Sequence, residues 1–246
     1  MNVYKADLHI HTVLSPCGDL EMSPSNIIRQ AKEQKLDIIG ITDHNSTRHC
    51  KLTAELGERQ GIFVLTGVEI TTREEVHCLA FFEKPESIDI FQKYLEQSLP
   101  YISNNPQYFG FQVVVDEHEN IVEEIDPLLI TALKHSIDDV RVKVAELNGI
   151  FIPAHVDRPR NGILDQLGFM PDNLNPDAIE IWNRNSRKTF LKTYTGFDKY
   201  QLLISSDSHT LQQIGTFYSE LEMQQIDFNE IRRALTGSEG RRILQQ

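Results

Sequence analysis

The sequence predicts an α/β fold: a barrel of β/α units, with an open doubly wound sheet as the second choice. Three observations carry this. Short runs rich in Val, Ile, Leu and Phe recur along the 246 residues, as buried strands do. Helix-like segments with recognisable caps separate many of them. Side chains with chemical potential gather at the ends of those runs, which is the rim where β/α barrels build their sites.

The candidate strands, in order, cover residues 4–8, 36–42, 62–68, 76–82, 111–115, 150–154, 178–182, 201–205 and 215–218. Between the first two, Ser23 is placed to cap a helix that opens at Pro24 and turns Ile27, Ile28 and Ala31 inward. Ser136 with Asp139 forms a capping-box pattern for a helix over 137–148, with Gly149 as its left-handed stop. Asp227 and Glu230 repeat the pattern for the last helix, over 228–235. Strands separated by helices imply parallel pairing. The stretch 85–149 fits least well, with one clear strand, and reads as an elaboration of a single unit spanning 1–246.

Composition narrows the function classes. Hydrophobic residues make up 40% and charged residues 24%, enough to bury a sizeable core. The net charge of −12 argues against partners held by their phosphate backbone, so long nucleic acid is not expected. No apolar run is long enough to span a membrane, and Lys5, Asp7, His9 and His11 interrupt any signal-like segment. Cys17, Cys50 and Cys78 are odd in number and widely spaced, which fits a reducing cytoplasm.

The strand ends hold the chemistry. Asp7-Leu8-His9-Ile10-His11 closes the first, and alternate residues of a strand share a face, so His9 and His11 are able to meet one metal. Thr42-Asp43-His44 closes the second and Glu69 ends the third. His77 lies in the fourth, His155 follows the 150–154 run, and Asp207-Ser208-His209 follows the 201–205 run. Singly, each has a plainer reading: His77 as a bonded core histidine, Asp43 as a helix cap or a group orienting a neighbouring imidazole. Jointly, convergence on one rim explains them better.

These motifs resemble the PHP (polymerase and histidinol phosphatase) superfamily: Asp7-x-His9-x-His11, Thr42-Asp43-His44, Glu69, His155 and Asp207-x-His209, in order from about residue 4 to 209. The resemblance implies a distorted seven-stranded TIM-like β/α barrel. It also implies a metal-dependent phosphoesterase with two or three divalent ions (Mn, Zn or Fe), acting through a metal-bridging hydroxide. By the same resemblance, His9, His11, Glu69 and Asp207 hold one ion. Glu69 bridges to a second, joined by His77 and His155. His44, His209 and a residue of the loop 13–19 hold a third. Asp19 is the preferred loop ligand, suited to a hard ion, with Cys17 the choice for zinc.

Asp43 and Arg158 are the candidate catalytic side chains, Arg158 as a phosphate contact. Arg160 and Arg184 are weaker candidates of the same kind. Trp182 and the aromatic residues Tyr101, Tyr108 and Phe109 read first as structural. The expected substrate is a small phosphorylated metabolite or nucleotide, such as a nucleoside 3′,5′-bisphosphate or an oligonucleotide end. An amidohydrolase-like C–N hydrolase and a non-catalytic metal-binding domain are the alternatives.

Overall fold

The computed structural model describes residues 1–182 and 186–244. Strand β1 (Asn2–Ile10) leads to helix α1 (Pro24–Glu33), where the Ser23 side chain accepts the Asn26 N–H and Ile27, Ile28 and Ala31 are buried. Then follow β2 (Ile38–Ile41), α2 (Cys50–Gln60), β3 (Phe63–Thr71), β4 (His77–Phe81) and α3 (Pro85–Ser98). The short helix α4 (Pro106–Phe109) and the hairpin of β5 (Val113–Val115) and β6 (Ile121–Glu124) come next. The chain continues through α5 (Ile137–Glu146), β7 (Ile150–Pro153), α6 (Ile163–Gln166), β8 (Ile179–Glu180) and α7 (Arg187–Thr193). It closes with β9 (Leu202–Leu203), β10 (Ser219–Met223), α8 (Phe228–Thr236) and β11 (Arg242–Ile243).

Seven strands form one sheet in the order β11-β10-β1-β2-β3-β4-β7, and β8 pairs with β9. The Val156 N–H donates to the Glu180 carbonyl, tying the end of β7 to β8. The Ser208 N–H donates to the His9 carbonyl, and the His11 N–H to that of Ser208, tying the end of β9 to β1. The sheet thus curls into a distorted TIM-like barrel, as the sequence predicts.

Parallel pairing holds only for part of it. Within the large sheet, β1–β2 and β2–β3 are parallel, whereas β3–β4 and β4–β7 are antiparallel. The reason is local: β3 and β4 are joined by a tight turn in which Thr72 and Val76 bond, too short to house a crossover helix. Two smaller expectations also shift. The left-handed position after α5 is Asn148 (φ 53°), and Gly149 instead fills a place where a Cβ would lie 2.7 Å from Phe82 and Val144. The run 215–218 is a turn, with β10 starting at Ser219, because Gly215 takes φ 73° and gives its N–H to Asp7.

Both faces of the sheet are covered. Ile38, Leu79 and Phe81 enter one apolar cluster, while their neighbours Ile39, Cys78 and Ala80 enter others. This explains why the strands read as unbroken apolar runs. Among the described residues, no helix is long and apolar enough to cross a membrane.

The last helix carries a pH-sensitive anchor. The Asp227 side chain caps α8, and the buried Glu230 carboxylate accepts from the Gln224 N–H and from Arg233 and Arg241. Bonds from Arg241 and Gln224 hold its pKa down to about 2. A depressed carboxylate contributes stability above its ordinary pKa and loses it as pH falls through the folded value. Glu230→Gln should therefore cost about 1–3 kcal/mol in urea unfolding at pH 7. The difference from wild type should shrink below pH 4; an equal gap at pH 7 and pH 2.5 would contradict this.

Candidate metal centre

The site is built where β1, β2 and β3 end and where the loops after β7 and β9 return. His9 and His11 leave β1 with their Nε2 atoms 3.2 Å apart. Glu69, near the end of β3, sits among the rings. Its oxygens lie 2.7 Å from His77 Nδ1, 3.1 Å from His155 Nε2 and 3.1 Å from His44 Nδ1. His11 and His9 approach it at 3.3 and 3.4 Å. Asp207 Oδ1 stands 3.5 Å from both His9 and His11, and the His209 ring stacks 4.3 Å from that of His11.

Among the described residues, three groups have donor atoms within 4.8 Å of one another: His9–His11–Glu69, His44–Glu69–His77 and His11–His44–His209. They share His11, His44 and Glu69, so they form one centre.

The donors suit divalent ions. His44 Nδ1, His77 Nδ1 and His155 Nδ1 are buried without a hydrogen bond, although the first two crowd a carboxylate. Facing ring nitrogens at 3.2 Å repel unless a cation or proton lies between them. Three of the imidazoles have an outer partner on the nitrogen that faces away from the centre. His9 Nδ1 meets Glu180 Oε2 at 3.0 Å, His11 Nδ1 meets Ser15 Oγ at 3.0 Å, and His209 Nδ1 meets the Asp207 carbonyl at 2.9 Å.

Electrostatics sort the rings into two sets. Burial drives His44 well below the ordinary imidazole pKa, lowers His77 and takes His209 to about 4, leaving all three uncharged at pH 7. Burial opposes charge on His9 too, but Glu180, Glu69 and Asp207 outweigh it and raise His9 well above normal. His11 is likewise raised, through bonds to Asp207 and Glu69 that outweigh its burial. Burial disfavours the Glu69 carboxylate, yet His77, His9 and His44 hold its pKa well below the carboxylate range.

The other expected residues fall close by. Asp43 is buried, and its oxygens accept from the Thr12 N–H at 2.7 Å, the Thr12 hydroxyl at 2.8 Å and the Ser15 hydroxyl at 2.7 Å. Through Ser15 it orients His11, which is the orienting role the sequence allows. Asp43→Ala should cut activity by about 10–100-fold, as loss of outer-shell partners does. Metal affinity should fall with it, and a variant with wild-type affinity and turnover would refute the role. Arg158 Nη1 donates to Asp207 Oδ2 at 2.9 Å, at the mouth of the centre. Asp19 gives its backbone N–H to His209 but turns its carboxylate to the Glu21 N–H at 2.9 Å. Asp19, Cys17, His155 and Asp207 do not enter the three groups, but His155 contacts Glu69, and Asp207 contacts His9 and His11. Burial and the Glu69 charge push the Cys17 thiol up to about 12. Arg160 is an exposed loop residue, and Arg184 lies outside the described residues.

Several supporting residues escape sequence reasoning. Glu180 serves both His9 and the His155 N–H; its signal was a lone carboxylate inside an apolar run. Asp7 accepts from Ser206 and Gly215, bracing the loop that carries Asp207. His49 passes a bond from the Val115 N–H to the Thr12 hydroxyl, joining β5 to the His11 loop. His155 (φ 28°) and Asp207 (φ 53°) occupy the left-handed region, a strain that collects at functional sites.

The model of the PHP domain family matches residues 7–237. The chain belongs to the PHP domain family. The uncharacterized protein YqxK of Bacillus subtilis is 26% identical over 271 residues, covering 97% of this chain and 63% of YqxK. The lesion-specific endonuclease PfuEndoQ of Pyrococcus furiosus superposes with a TM-score of 0.74 at 18% identity, over 98% of this chain and 58% of that one. A Bifidobacterium adolescentis protein described as a metal-dependent phosphoesterase has a TM-score of 0.57 at 22% identity, over 83% of this chain and 87% of that one. This PHP chain thus spans about three-fifths of the length of YqxK and of PfuEndoQ.

The expectation that long nucleic acid is excluded needs correction. Endonuclease Q, with a TM-score of 0.74 to this chain, has been captured with a 27-mer duplex whose abasic lesion lies at its active site. The flaw was physical: net charge sums over the whole surface, whereas a duplex meets one face, where cations, when bound, would reverse the local sign.

Proposed function

We propose that this PHP domain is a metal-dependent phosphoesterase acting on nucleotide phosphoesters, both within nucleic acid and in small nucleotides such as nucleoside 3′,5′-bisphosphates. The observation that carries this is the set of three donor groups sharing His11, His44 and Glu69 in one buried centre. His9, His11, Glu69 and Asp207 are assigned to one ion, Glu69, His77 and His155 to a second, and His44 with His209 to a third. Ions bound there supply the Lewis acidity that activates water and offsets phosphoryl charge.

The chain's own residues do the rest. Glu180 and Ser15 hold the His9 and His11 rings so that each presents Nε2 inward. Asp43 fixes the loop that carries Ser15. Arg158, already near Asp207, is placed to receive a phosphate oxygen at the mouth. The third donor group favours phosphoester over C–N hydrolysis, because two ions suffice for the latter.

The test is product release by Mn- and Zn-loaded protein on a panel: a nucleoside monophosphate, a nucleoside 3′,5′-bisphosphate, a single-stranded oligonucleotide and a duplex with an abasic site. His9→Ala is the blank. Hydrolysis by wild type alone supports the reading. No hydrolysis of any member at confirmed metal loading, with turnover of an amide or lactone, overturns it.

A further inference from the structure

The exposed apolar surface is concentrated on one segment. Tyr101 (76% exposed), Tyr108 (82% exposed), Ile102, Phe109, Phe111, Ile121 and Val122 all lie between α3 and α5. Exposed patches of this kind mark interaction sites. Residues 99–115 carry no charged side chain, although the chain's net charge is −12.

This segment abuts the loop that follows His11. Gly110, between Phe109 and Phe111, takes φ 98°, and a Cβ there would lie 1.9 Å from the Pro16 carbonyl oxygen. Pro16 follows Ser15, whose hydroxyl meets His11. The turn is also well anchored. The Asn105 side chain caps α4, Asn104 Nδ2 donates to the Gly110 carbonyl, and Val113 and Val115 pack on Val13. Aromatic rings on a fixed turn lose little entropy on meeting a ligand.

The geometry points to a stacking platform: Tyr108 and Phe109 receive a nucleobase of an unpaired nucleotide flanking the scissile phosphate. This rests on the nucleotide reading above. Residues 99–115 offer no cation to a phosphate, so this segment gains nothing from counterion release. Affinity from it must come from contacts indifferent to charge, and base stacking on aromatic rings is such a contact. Tyr108 and Phe109 themselves bring no charge to the stacked base, while carboxylates that neighbour this segment, Glu123, Glu124 and Asp126, belong to β6 and the residues after it.

The experiment measures kcat and KM on a single-stranded oligonucleotide for wild type, Tyr108→Ala, Phe109→Ala and Tyr108→Trp, with melting temperatures alongside. Val142→Ala, an exposed apolar change on α5, is the control. Each alanine variant should raise KM by about tenfold, the worth of a stacked base, with kcat little changed and Trp restoring affinity. A substrate with an abasic nucleotide beside the scissile bond should show the same weakening in wild type, and no more in Tyr108→Ala. Wild-type cleavage with KM unchanged in both alanine variants overturns the platform alone. So does a KM rise that persists in full on the abasic substrate. Wild type that hydrolyses phosphate monoesters but no oligonucleotide overturns the nucleic-acid reading itself.

Discussion

Glu69→Gln is expected to lower kcat by more than about 10³-fold, beyond the 10–100-fold range of outer-shell changes. Five imidazoles converge on this carboxylate within 3.4 Å, and it belongs to two of the three donor groups. The amide keeps the shape but removes the negative charge that two of the donor groups share. It also removes the anion that helps keep His9 protonated in the metal-free protein. Breaking a buried ion pair typically costs about 3–5 kcal/mol, and discharge of the imidazoles softens that here. The Gln variant should thus fold, with a lower melting temperature in chelator, and bind fewer ions by elemental analysis. Wild-type stoichiometry with more than a tenth of the activity would remove Glu69 from the centre.

Stripping the metal should abolish turnover and lower the melting temperature together. An ion that binds only the folded chain stabilises it by about 2.7 kcal/mol at a hundredfold excess over its Kd. For a chain of this length that amounts to about 5–11 °C. The effect has a direction in pH. His44, His77 and His209 are uncharged at pH 7 and release no proton on binding. His9 and His11 are raised, so protons compete with the ion for this pair. Apparent affinity should therefore weaken as pH falls from 8 to 6, with proton release measurable by calorimetry in buffers of different ionisation enthalpy. Affinity flat across that range would show that His9 and His11 enter the centre already neutral. Re-addition of Mn(II) should restore both activity and melting temperature, and failure of either would separate the ion's structural and catalytic parts.

Much of this was legible in the linear order of residues. The apolar runs identify the strands because a sheet buried on both faces needs no polar alternation. Ser23, Ser136 and Asp227 mark helix starts because their side chains must satisfy the N–H groups a helix leaves open. The β5–β6 hairpin was hard to read because all of β6 is exposed, so no buried face imposes a pattern on it. The direction of β4 was lost for a different reason: parallel and antiparallel strands have the same composition when both faces are buried, and only the turn at Thr72–Val76 decides.

The same division holds for the centre. His9, His11, His44, Glu69, His77, His155, Asp207 and His209 announce themselves by residue type at strand ends, a local property. Their partners do not. Glu180 reaches His9 across 171 positions of sequence, and Asp7 reaches Ser206 across 199. Asp19, the expected loop ligand, accepts the Glu21 N–H of its own loop. Candidate ligands are legible because each side chain carries its chemistry wherever it stands. Tautomer, charge and orientation follow from neighbours that meet only when the barrel closes, and those the tertiary structure alone decided.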